Sequence, residues 1–87
     1  MSSKIRIRNL PPGTERFDVQ DLLTMVGDVH TIRLVVEHGE QTAYVRMVSE
    51  GHAQNCIDRF NKQRYRGHML SVCEDIVKPA RAIGAVK

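Results

Sequence analysis

The sequence predicts an α+β fold, a βαββαβ sandwich in which a four-stranded antiparallel sheet carries two helices on one face. Three observations predict it. Apolar periodicity alternates between two and about 3.6 residues across six segments, the periods of strand and helix. Turn and stop residues stand where it changes. The chain has 87 residues and is 41% hydrophobic, which fits one compact core and leaves little room for a second.

The first segment, "KIRIRNL", alternates Ile5 and Ile7 against Arg6 and Arg8, as a half-buried strand does. "PPGT" ends it, because paired prolines and a glycine cannot continue a sheet ladder. Val19, Leu22, Leu23 and Val26 then fall at i, i+3, i+4 and i+7, one helix face, with Thr14 as N-cap and Gly27 as stop. Alternation returns from Val29 to Glu37, with Ile32, Leu34 and Val36 on one side and Thr31, Arg33 and Val35 on the other. "HG" at 38 and 39 reads as a two-residue hairpin turn, with Gly39 supplying a positive φ. Pairing Glu37 with Glu40 then sets Leu34 opposite Ala43, Ile32 opposite Val45, Arg33 opposite Tyr44 and Thr31 opposite Arg46. Apolar meets apolar and polar meets polar, which supports the register. The same register sets His30 against Met47 on the inward side, as a partly buried strand end.

Ser49 caps the second helix, whose face is Ala53, Cys56, Ile57 and Phe60. A polar loop, "NKQRYRGH", leads to a last strand, "MLSVCED", with Leu70 and Val72 inward. Two crossovers of one hand put both helices on the same side of the sheet, the ferredoxin-like arrangement, and leave the other side open. Function is expected on that open side.

Composition narrows the classes. No apolar run approaches the roughly 18 residues a membrane helix needs, and the start carries no signal-peptide core, so the expectation is a soluble protein made inside the cell, in nucleus or cytoplasm, with no membrane partner. Cys56 and Cys73 fit neither a metal knuckle nor a disulfide framework and are read as free thiols. His30, His38, His52 and His68 are dispersed without ligand spacing, so no metal and no cofactor are expected. The thirteen Lys and Arg divide into ten within residues 1–75, matched by ten acids, and Lys78, Arg81 and Lys87 beyond, matched by none. The formal charge of +3 therefore belongs to the tail. The chain is divided accordingly into a domain, 1–75, and a basic C-terminal tail, 76–87.

Over residues 4–75 the sequence resembles the RNA recognition motif family. "IRIRNLP" is similar to the family's hexamer motif, "GDV" at 27–29 to its helix-to-strand junction, "AQNCIDRFN" to its second helix and "GHMLSV" to the approach to its fourth strand. The family's octamer motif falls on "EQTAYVRM". There Glu40, Gln41 and Thr42 replace the usual basic, glycine and aromatic positions, and Arg6 replaces an aromatic of the hexamer. Of three expected stacking platforms, Tyr44 alone is kept. The resemblance implies binding of single-stranded RNA on the open sheet face.

Alternation places Arg6, Arg8, Arg33, Thr42, Tyr44, Arg46, Ser71 and Cys73 on that face. Four arginines around one tyrosine supply cations for a phosphate path and guanidinium planes that stack on bases. The expected nucleic-acid contacts are Arg6, Arg8, Arg33, Thr42, Tyr44 and Arg46, extended by Lys78 and Arg81 of the tail. The expected binding is electrostatic and weakly sequence-selective. Each arginine alone is also an ordinary solubility device, and Tyr44 also has a structural reading, as a cross-strand cation–π partner of Arg33.

The alternative is a protein-interaction module on the same scaffold within a ribonucleoprotein complex, using the sheet or the helices. One subfamily captures ligand tryptophan with an Arg-x-Phe loop before the last strand, but Gln63 and Tyr65 occupy those positions here. An enzyme is not expected. Acyl-phosphate hydrolases share the strand order, but "PPGTERF" lacks the glycine-rich anion cradle, and its prolines remove backbone donors from it.

Overall fold

The structure, a computed structural model, describes residues 3–75. Its elements run β1 (Lys4–Leu10), α1 (Arg16–Leu23), β2 (Val29–Glu37), β3 (Glu40–Met47), α2 (Glu50–Phe60), β4 (Arg64–Tyr65), β5 (His68–Met69) and β6 (Ser71–Glu74). The main sheet is antiparallel with strand order β2-β3-β1-β6, so the two octamer- and hexamer-bearing strands lie at its centre. Period-two alternation gives each central strand one apolar side. Ile5 and Ile7 of β1 and Ala43, Val45 and Met47 of β3 are buried against Val19 and Leu23 of α1 and Ala53, Cys56 and Phe60 of α2. Leu70 and Val72 complete the core. Each fully buried aliphatic side chain contributes about 1.5–3 kcal/mol.

The hairpin register is the expected one from Thr31↔Arg46 to Glu37↔Glu40. Both turn residues are left-handed, His38 at φ 53° and Gly39 at 79°, as a type I′ turn demands. At the far end the register shifts. Val29, not His30, faces Met47, and the irregularity turns His30 outward into solvent. The physical reason is that the extra residue lets an apolar side chain approach the core in place of an imidazole with no partner there.

Three further expectations need correction. Thr14 is not the cap of α1: its hydroxyl donates to the Pro11 carbonyl at 2.6 Å within the preceding turn. Glu15 is the cap, and its backbone N–H donates to Asp18 Oδ2 at 2.9 Å. The helix also ends at Leu23, and Val26 reaches the core from the turn that follows, in which the Val26 and Gly27 amides both bond the Leu23 carbonyl. The loop before the last strand holds a small hairpin, β4 with β5, turned by Arg66 at φ 50° and Gly67 at 86°. Ser49 caps α2 as expected, accepting from the His52 amide.

Candidate nucleic-acid interface

Side chains reach the open face by the same alternation that fills the core. Arg6 stands opposite Tyr44 on one side and Cys73 on the other, Arg8 opposite Ser71, Arg33 opposite Tyr44, and Lys4 opposite Arg46. Arg46 and Arg33 are exposed. Arg6 is half-buried, its terminal nitrogen donating to Cys73 Sγ at 3.8 Å, and its Nε is buried with no hydrogen-bond partner. Arg8 makes a loose ion pair with Glu40 at 3.6 Å. Asn9, left-handed at φ 65°, donates to the Met69 carbonyl at 2.9 Å and so ties the end of β1 to β5.

Tyr44 organises the centre. Its hydroxyl donates to Glu37, 2.8 Å and 2.9 Å from the two carboxylate oxygens. Glu37 lies four positions beyond Arg33 on β2, about 13 Å along the strand. The tyrosine must therefore lean along the sheet, across the Val35↔Thr42 pair, towards the hairpin tip. Arg33 lies over the ring at 5.3 Å from its centroid, the cross-strand cation–π pair that its register allows. The Glu37 hydrogen bond, with burial a smaller cause, pushes the phenol above its ordinary value.

This geometry corrects one expected contact. Thr42 is on the open side but only 1% exposed, at the floor of a depression it shares with Arg6, Arg8, Glu37, His38 and Tyr44. A threonine is too short to emerge from beneath a leaning tyrosine. A second depression on the same side, about 400 Å³, lies at the other end beside Lys4, Arg33 and Arg46, and Tyr44 borders both. The sheet thus has a mainly cationic end, whose depression Asp75 also lines, and a mixed end, where Glu37 and Glu40 meet Arg8.

A family model described as RNA recognition motif matches residues 5–71. The chain belongs to the RNA recognition motif family. Among solved structures, this motif is similar to Pes4 RRM3, with 30% identity and a TM-score of 0.84 over 92% of this chain and 99% of that one. The Rna15 RRM with bound RNA (GU) shares the fold at 12% identity and a TM-score of 0.78, covering 95% of each chain. The RNA recognition domains 1 and 2 of Sex-lethal from Drosophila melanogaster share it at 22% identity and a TM-score of 0.77, over 86% of this chain and 50% of that one. A comparison with curated proteins found no match.

Within this RNA recognition motif, the hexamer and octamer segments are neighbouring strands, so Arg6 and Tyr44 touch the same patch. Two residues of the face escaped the sequence reading. Lys4 shares the side of Arg46, a position that alternation from Ile5 already implied. Glu37 was legible only as a hairpin-tip charge, because its reach back to Tyr44 depends on the tilt of the ring. Lys78 and Arg81 lie outside the described residues. Cys56 is fully buried, which pushes its thiol up to about 11, and it packs beside Met47. No helix among the described residues is long and apolar enough to cross a membrane.

Proposed function

We propose that the chain is a single-stranded RNA-binding module whose ligand lies across the open sheet face, held more by charge than by base reading. The observation that carries this reading is the cluster of Lys4, Arg6, Arg33 and Arg46 around Tyr44 on the side of the sheet opposite the two helices. Cations at intervals along a groove follow a phosphate backbone, and one aromatic ring gives one base a platform. Arg33 now covers that ring, so a base either displaces the guanidinium or stacks upon it, and both are favourable contacts. The orphaned Nε–H of Arg6 adds a reason for that side chain to swing towards a phosphate, since a buried donor without an acceptor costs about 1–3 kcal/mol. Selectivity is weak because most contacts fall on the backbone, which carries no sequence. The RNA-bound Rna15 domain, a chain of the same fold, agrees with this use of the scaffold. The tail, 76–87, is assigned as a basic extension of the domain, with Lys78 and Arg81 adding to the field.

A second reading, a protein-interaction module in a ribonucleoprotein complex, is favoured by α1. Phe17 is 75% exposed and Met25, just past the helix, 66%, and a depression of about 430 Å³ separates Phe17 from the β2 edge. Amide chemical shifts recorded while short mixed RNA is added separate the two. Movement on β1 and β3 supports the RNA reading. Movement confined to α1 and β2 on addition of a protein partner, with none on RNA, contradicts it.

A further inference from the structure

Resting on the reading of the open face as an RNA surface, we propose that Glu37 makes the depression at the β2–β3 tip a subsite for a single guanine base. The depression measures about 280 Å³, below the range of pockets that enclose a drug-sized ligand, and suits one planar ring system. It is bordered by Tyr44, Glu37, Arg6 and Arg8, with His38 and the buried Thr42.

The carboxylate is the part that a purely electrostatic surface does not explain. Among the described residues Glu37 forms no ion pair, whereas Glu40 across the turn holds Arg8. An unneutralised anion repels phosphate, so its place on this face fits a contact with a base edge instead. An ionised carboxylate is acceptor-only and has about four lone-pair sites. The single Tyr44 hydroxyl proton is shared between its two oxygens, so both keep capacity for another donor.

The bases of a single strand expose their pairing edges. Guanine presents N1–H and the N2 amino group side by side, two donors spaced for the two oxygens of one carboxylate. Adenine presents a donor beside an acceptor, cytosine a donor beside two acceptors, and uracil one donor between two carbonyls. Each of these sets an acceptor against a carboxylate oxygen. Guanine's adjoining edge carries O6 and N7, the acceptor pair that arginine reads. Arg8 is positioned to offer it, being 48% exposed in its side chain and tethered by only the 3.6 Å contact to Glu40. The Tyr44 ring supplies the stacking surface. Selectivity is then confined to one nucleotide, while the cationic end of the sheet reads backbone.

The test is fluorescence anisotropy with uridine-rich RNA probes that differ at one central base: guanine, adenine, cytosine or inosine, which lacks the N2 amino group. Wild type and Glu37→Gln are compared. Gln keeps an acceptor for the Tyr44 hydroxyl and sits on an exposed strand end, so circular dichroism should match the wild type. The guanine probe is expected to bind wild type about ten-fold or more tightly than the adenine probe, as a good bidentate base contact discriminates. Inosine should fall between them. In Glu37→Gln the guanine-to-adenine ratio should collapse while the all-uridine probe still binds. Equal affinities for all probes, or a guanine preference that survives in Glu37→Gln, would overturn the subsite and leave the RNA surface standing. Absence of binding to every probe at low salt would overturn both.

Discussion

Tyr44 is fixed at both ends, by strand pairing at its backbone and by Glu37 at its hydroxyl, and this sets what its substitution should do. Tyr44→Ala removes the stacking platform and should weaken RNA binding roughly ten-fold or more, whereas Tyr44→Phe keeps the ring and should lose little. If thermal melts show Tyr44→Ala destabilised while its RNA affinity is unchanged, the ring serves only to pack against Arg33. The phenol's proton reports the same contact. Because Glu37 raises the Tyr44 pKa, Glu37→Gln should move the phenolate transition down, as followed by the ring's NMR signals. A phenol raised in the folded state favours folding below its ordinary value of about 10 and loses that contribution as pH rises through the folded value. The two thiols should behave oppositely. Cys73 is part-exposed and should react with a thiol reagent in the native protein; Cys56, buried and pushed up to about 11, should react only on unfolding.

Elements follow local rules where neighbours in sequence decide them and depart where neighbours in space do. The β2–β3 register was legible because Thr31↔Arg46, Ile32↔Val45, Arg33↔Tyr44 and Leu34↔Ala43 match in polarity, and a two-residue turn admits one register. The bulge at His30 was not, because it depends on whether Val29 or His30 has a place in the core. The cap of α1 was misplaced for a related reason. Thr14 has a cap's chemistry, but its hydroxyl is spent on Pro11, which leaves the role to Glu15. The open face was legible residue by residue, since alternation alone assigns sides, yet the burial of Thr42 was not, because it follows from the length and lean of Tyr44. Gly27 joins two elements. A Cβ there would lie 2.8 Å from His52 Cβ and 3.2 Å from Met47 Cε, while the next amide, of Asp28, donates to His52 Nδ1 at 3.0 Å. Gly27→Ala should therefore cost about 1–3 kcal/mol of stability, measured by denaturant unfolding, as overpacking does. A neutral result would mean that the α1–β2 junction moves freely against α2.

For the molecule as a whole, charge varies along the open side of the sheet. Lys4, Arg33 and Arg46, with Asp75 beside them, mark one end, and Glu37 and Glu40 with Arg8 the other, so the strand of RNA is expected to enter over the three cations and finish at the acidic tip. The basic tail lies outside the described residues, and its contribution is open to deletion. Truncation after Asp75 should weaken RNA binding most at low salt, where exposed cations act over the longest range. Unchanged affinity at low salt would remove Lys78 and Arg81 from the interface. The central claim, that RNA binds this sheet face through its arginines, meets its most direct test in the salt dependence of RNA affinity for wild type and the Arg6→Ala, Arg46→Ala double variant. Each lost phosphate contact on a single strand lowers the slope of log affinity against log salt by about 0.7. The double variant should therefore bind more weakly at low salt and show a slope shallower by up to about 1.4. Equal affinity and equal slope in a folded double variant would contradict the account.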